Sequence, residues 1–264
     1  MSIPLGQLPE RARTAWTRLR DGLEAILRED LIAIWAYGGT VAAEGPSRSA
    51  DLDTYVIVRR SPDAGTAQAI DDLHAAIANQ LRVEWDTWYV TEEAARRSDA
   101  PRHAYRPDRR DTSWAVNRAH WLVGRYVLLH GVEPAEIVRP PEWSELEIDL
   151  AREVEHLEAH VAAGDTDPYE STYAFLNGCR ILRAFETRDV AISKRSAGQW
   201  GLEHLPDRWH PALHAAARAY DGQASPGDTD LLAAGMAPFV AVVRDRLPPL
   251  ALRPAEAPPR WSGS

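Results

Sequence analysis

Apolar residues recur every three or four positions along residues 7–29, at Leu8, Ala12, Trp16, Leu19, Leu23, Ile26 and Leu27. Residues at this spacing share one helical face, so the segment predicts an amphipathic helix. The unbroken apolar run Leu31–Tyr37 predicts a strand, which meets Gly38-Gly39; after a small polar loop a second strand follows over Asp53–Val58. Ser61-Pro62-Asp63 suits a helix start, and residues 67–81 place Ile70, Leu73, His74 and Ile77 on one face of the next helix. Residues 82–90 (RVEWDTWYV) alternate charged with large apolar residues and read as a third strand.

Residues 91–111 are polar and rich in Arg and Pro, which predicts a solvated loop or lid. Residues 113–130 read as one long apolar-faced helix carrying Trp114, His120, Trp121 and His130, closed by Gly131. His120 and His130 stand ten residues apart, which is no metal-ligand spacing, and read as ordinary polar contacts. Pro140-Pro141 marks a boundary; beyond it residues 142–162, 169–187, 192–204, 209–221 and 227–246 all carry helical periodicity. The chain is therefore α+β: a mixed sheet-and-helix domain over 1–140, an α-helical bundle over 141–252, and a proline-rich flexible tail over 253–264.

Composition narrows the function. With 264 residues, 45% hydrophobic and 26% charged, the chain has the profile of a soluble globular protein. No N-terminal apolar segment resembles a signal peptide, no run approaches the length of a membrane span, and Cys179 is alone, so a cytoplasmic protein without an internal disulfide is expected. The net charge of −9 disfavours a nucleic-acid partner and suits a cationic small molecule. A monomer with no membrane partner is the expectation.

The chemistry concentrates at Gly38-Gly39 and Asp51-Leu52-Asp53. Residues two apart in a strand point to one face, so Asp51 and Asp53 project together at the start of a buried strand. Adjacent carboxylates repel and are costly to bury unless a cation lies between them, and magnesium with oxygen ligands meets that need. The glycine pair leaves backbone N–H groups open to close approach by a phosphate. On the third strand Glu84 and Asp86 again share a face and offer a third carboxylate; the spacing does not choose between them.

This arrangement of Gly38-Gly39, Asp51-x-Asp53 and a third acidic strand resembles the signature of the polymerase-β-like nucleotidyltransferases. The segment 177–220, with Cys179-Arg180, Thr187, Ser193-Lys194, Ala197, Trp200, Leu205-Pro206, Trp209 and Tyr220, is similar to the helical domain of the aminoglycoside 3''/9-adenylyltransferases. The resemblance spans most of residues 30–220 and implies a nucleotidyltransferase domain followed by a helical domain. It implies AMP transfer from ATP to a hydroxyl of a streptomycin- or spectinomycin-type drug, with pyrophosphate released.

By the same resemblance Asp51 and Asp53 hold Mg2+, Gly38 and Gly39 approach the phosphates, and Glu84 or Asp86 is the general base. Arg180 and Lys194 meet the triphosphate from the helical domain, Glu170 binds the cationic drug, and Trp114 stands in for the family's tryptophan drug contact, with Trp85 and Trp88 as the other choices. Gly39 replaces the serine usual in the family, and Thr187-Arg188 replaces its Thr-Gly turn. Two alternatives keep part of this picture: transfer to a protein side chain, as in antitoxin-type relatives, or a degenerate member that binds nucleotide without transfer.

Overall fold

The computed structural model describes residues 2–41 and 51–247; the expected tail over 253–264 lies outside them. Helix α1 (Glu10–Leu27) packs on a four-stranded sheet made of β1 (Leu31–Tyr37), β2 (Asp51–Val58), β3 (Glu84–Thr91) and β6 (Val127–Gly131), in the order β3-β2-β1-β6. β2 and β3 run parallel, joined through α2 (Ala64–Leu81), while β1 is antiparallel to both its neighbours. Asp63 begins α2 as the sequence suggests, its carboxylate accepting from the Thr66 N–H at 2.8 Å.

The sheet separates two apolar layers. On one side Trp16, Leu19 and Leu23 of α1 and Ile70 of α2 cover Ile34, Leu52 and Val56. On the other, Trp35, Tyr55, Ile57 and Val90 meet Trp114, Trp121 and Tyr126. This second layer is an aromatic cluster, with Trp121 centred 4.7 Å from Tyr55 and 5.2 Å from Trp35. Because side chains alternate, the odd-numbered residues of β2 that enter this layer deeper in the strand emerge at its start as Asp51 and Asp53.

Residues 113–130 do not form one helix. α4 (Trp114–Leu122) stops before Gly124, whose φ of +86° turns the chain, and β6 then adds the sheet's fourth strand. Residues 91–111 hold more structure than a loop: a single turn α3 (Glu92–Ala95) and the hairpin of β4 (Arg102–His103) with β5 (Arg106–Arg110).

After the short α5 (Pro134–Ile137) come the five expected helices, α6 (Trp143–Ala163), α7 (Pro168–Thr187), α8 (Lys194–His204), α9 (His210–Tyr220) and α10 (Pro226–Arg246). α7 is central, burying Ala174, Phe175, Gly178, Cys179 and Leu182 against its neighbours. Gly178 permits a close approach: a Cβ there would stand 2.7 Å from the Phe239 ring of α10.

Contacts tie the two units. Fully buried Arg118 of α4 donates to Glu145 of α6 at 2.8 Å. Asp149 of α6 accepts from the N–H groups of Ala115 and Val116 at 2.7 and 3.3 Å, satisfying the first turn of α4. Among the described residues no helix is long and apolar enough to cross a membrane.

Candidate active site

The end of β1, the start of β2 and the start of β3 form one wall. Parallel register places Asp51 opposite Glu84 and Asp53 opposite Asp86. Tyr37 is the antiparallel partner of Asp53. Gly38, at φ +80°, curls against the Asp53 side chain so closely that a Cβ would lie 1.6 Å from its Oδ2. No other residue leaves that space. The Gly39 N–H donates to the Asp53 carboxylate, and Thr40 Oγ1 donates to the Asp51 carbonyl at 3.2 Å.

Burial, then the neighbouring Asp86 charge, pushes the Asp53 carboxyl up to about 7, and Asp51 adds to the effect. Lys194 and the Gly39 N–H oppose the rise, and about 7 is the balance. Asp86 is also raised, by desolvation first and by Asp51, with Arg109 lowering it. Asp53 thus lies among like charges, which is the situation that a cation relieves. Its oxygens, with those of Asp51, are the hard donors that magnesium takes.

The facing wall comes from the helical domain. On α7, Glu170, Tyr173, Asn177 and Arg180 follow helical spacing and share a face. Arg180 donates to Asn177 Oδ1 at 3.1 Å and to His120 Nε2 at 3.2 Å. That nitrogen must therefore be unprotonated, and burial with the Arg180 charge holds the imidazole down at about 3. Asn177 passes a hydrogen bond to Glu153 at 2.9 Å, and Tyr173 also hydrogen-bonds Glu153.

Lys194 begins α8 with its ammonium 4.5 Å from the Tyr173 ring centre. Burial first and the Arg180 charge second lower it, Asp53, Glu153 and Asp51 raise it, and the balance stands at about 8. The mutual influence of Lys194 and Asp53 places these two charges of opposite sign across one cleft. Tyr220 closes another side: a Cβ on Gly39 would meet its hydroxyl at 3.6 Å, an ordinary contact, so a serine in place of this glycine would fit.

Of the residues singled out in the sequence, the structure gathers Gly38, Gly39, Asp51, Asp53 and Asp86 on one wall and Arg180 and Lys194 on the other. Glu84 is level with Asp51, one strand step before Asp86, and both of these β3 carboxylates are exposed. Glu170 lies a turn beyond Tyr173 and faces His160 at 3.7 Å, beside a Tyr169 that feels the charges of Asp51 and Asp53. Trp114 does not belong to the cleft. It is 1% exposed, its indole N–H is given to the Arg97 carbonyl at 3.4 Å, and it packs on Tyr55 and Trp121, so it offers a ligand no surface. The apolar demand of the aromatic layer claims this ring.

Sequence reasoning gave no place in the site to Tyr37, Arg109, Glu153, Tyr173 or Asn177; it read His120 as an ordinary polar contact and named Tyr220 only as a landmark of the helical half. A signal existed for two of them: polar Tyr173 and Asn177 interrupt the apolar run of α7 at the same spacing that carries Arg180. Arg109 had no such signal, because the hairpin that brings its guanidinium over Trp88, 4.9 Å from the ring centre, is irregular in sequence.

A mixed sheet with paired carboxylates at a glycine turn, faced by a basic helical wall, is the architecture of the two-domain nucleotidyltransferase fold. Residues 148–244 match the family described as the aminoglycoside adenylyltransferase C-terminal domain. Among solved structures, the chain is similar to the spectinomycin adenyltransferase AAD(9) from Enterococcus faecialis, determined with ATP and spectinomycin. The two share 15% identity with a TM-score of 0.64, over 86% of this chain and 98% of that one, which is a likeness of fold. No curated protein matches the sequence.

Proposed function

We propose that the protein transfers AMP from ATP to a hydroxyl of an aminoglycoside or aminocyclitol drug of the spectinomycin or streptomycin type, in the cytoplasm. The observation that carries this reading is the opposition of Asp53 and Lys194 across the cleft. A carboxylate wall with space for a cation and a buried cationic wall together suit a metal-bound triphosphate. The family of the helical domain and the ATP and spectinomycin bound to the similar structure support the same substrates.

Asp51 and Asp53 would hold Mg2+, which when bound neutralises charge on the triphosphate. Arg180, held by Asn177 and His120, and Lys194, held over Tyr173, take the phosphate oxygens from the other side. Gly38 and Gly39 leave the backbone open to the phosphates. Asp86, in register with Asp53 and with its carboxyl raised chiefly by desolvation, accepts the proton of the drug hydroxyl as that oxygen bonds to the α-phosphorus and the bond to pyrophosphate breaks. Glu170 receives a cationic group of the drug.

The test is pyrophosphate release by purified protein with ATP, Mg2+ and a panel of aminoglycosides and spectinomycin, read with mass spectrometry of the drug. An AMP-modified drug, lost in Asp53→Asn, is the expected result. ATP binding without an adenylylated drug overturns the substrate assignment. An AMP adduct on co-expressed protein would then point to a protein acceptor, and no adduct at all to a binding role.

A further inference from the structure

Outside the carboxylate wall, a second set of metal-ligating groups lies where α6 turns into α7. His156 and His160 are one helical turn apart on α6 and therefore share a face, with ring centres 4.5 Å apart. Gly164, at φ +68°, ends α6 and sends the chain back, so that Glu170 in the first turn of α7 meets the two imidazoles. One ligand atom from each of His156, His160 and Glu170 lies within 4.8 Å of the other two. Ligands of a tetrahedral zinc ion with bonds of about 2.1 Å stand roughly 3.4 Å apart, so modest side-chain rotation closes the set. His156 is exposed and the other two are half-buried, which leaves room for that rotation and an open path for an ion.

The surroundings add what a histidine site requires. Asp165, in the turn between the helices, accepts from His160 Nδ1 at 3.1 Å and from the Asp167 N–H at 3.2 Å. With Nδ1 held by Asp165, Nε2 is the nitrogen of His160 left for an ion, and a carboxylate on the other ring nitrogen is the usual partner of a ligating histidine. Asp165, Asp167 and Glu170 also make this corner acidic, which draws cations.

We propose that His156, His160 and Glu170 form a site for a divalent transition-metal ion of the zinc type, separate from the Asp51/Asp53 carboxylates. Two imidazoles and one carboxylate leave a fourth tetrahedral position for water, and nitrogen donors select zinc, cobalt or nickel over magnesium. The site reaches the cleft through Tyr173, whose ring touches both the His156 imidazole, at 6.2 Å between centres, and the Lys194 ammonium. It shares Glu170 with the drug contact proposed above, so an ion and a cationic drug group would compete for that carboxylate, and the titration is made without drug.

The test is a cobalt titration of the full-length, chelator-treated protein in excess Mg2+, which occupies hard-oxygen sites, followed by visible absorption and reversed with Zn2+. One equivalent of cobalt with tetrahedral bands is expected. His156→Ala and His160→Ala should each weaken binding by about tenfold or more, the scale on which metal sites respond to lost partners, with unchanged far-UV circular dichroism. Glu170→Gln should weaken it too, whereas Asp53→Asn should bind cobalt as the wild type does. Absence of tetrahedral bands, equal affinity in the His156→Ala/His160→Ala double variant, or loss of the bands in Asp53→Asn overturns the proposal.

Discussion

Asp53 and Lys194 must carry opposite charges to embrace a metal-bound triphosphate, and their surroundings leave a narrow window for both. Asp53, raised to about 7, is ionised above that pH, whereas Lys194, lowered to about 8, is protonated below it. The kcat/KM for ATP should therefore follow a bell whose acidic limb reflects Asp53 and whose basic limb reflects Lys194, measured as rate against pH. Higher Mg2+ should move the acidic limb downward, since a cation favours the carboxylate; a limb that ignores Mg2+ would remove Asp53 from the metal. Asp86→Asn should slow transfer about 10²- to 10⁴-fold while Glu84→Gln changes it far less, in single-turnover assays that separate the two carboxylates. Gly38→Ala tests the turn beneath them. A side chain at that positive φ costs about 1–2 kcal/mol before its collision with Asp53 is counted, so both melting temperature and activity should fall.

At the level of elements, α7 organises the basic wall, because its Tyr173, Asn177 and Arg180 recur on one face while the opposite face is buried. Glu153 of α6 binds two of them. Glu153→Gln should raise the KM for ATP with little change in kcat, since it orients Arg180 and Lys194 without being placed on the reacting atoms; equal losses in both constants would argue against that role. The helices of this half were legible because long amphipathic periods bounded by Gly, Pro and Asp leave few alternatives. β6 was not legible. Val127-Leu128-Leu129 continues the apolar run of α4, so composition alone cannot distinguish a buried strand from another helical turn; the break at Gly124 is a tertiary choice, made by the open edge of β1. The carboxylate wall was legible because period two in β2 and β3 requires it, whereas the pairing of Glu84 with Asp51 and of Asp86 with Asp53 needed the parallel register. Trp114 was misread because an aromatic residue at a helix start serves a core or a ligand equally well in sequence.

The whole molecule joins its halves through buried charge. Asp111, which accepts from the Ser113 N–H, is pushed up to about 7 by burial, with Asp149 adding to the shift; Asp149 is itself raised to about 6, chiefly by burial. Both bind protons more tightly folded than unfolded, so their contribution favours the fold at acidic pH and weakens as pH rises from about 4 to about 7. Thermal melts of the ligand-free protein should show stability declining over that interval. Asp111→Asn keeps the acceptor for Ser113 but removes the charge, and should raise the melting temperature at pH 8 and flatten the decline. An unchanged slope would mean that Asp111 does not titrate there. The Asp149 carboxylate that completes α4 has another implication, for the history and engineering of such chains. A helical domain that supplies the missing hydrogen-bond acceptor of its neighbour's helix is not an independent module. Grafting residues 141–247 onto the N-terminal half of a related chain would leave the Asp149 carboxylate without the α4 N–H groups and Glu145 without Arg118, unless that half presents the same helix. Chimaeras should therefore tolerate a junction placed before α4, near residue 112, better than one placed at Pro140-Pro141, where the sequence itself suggests cutting.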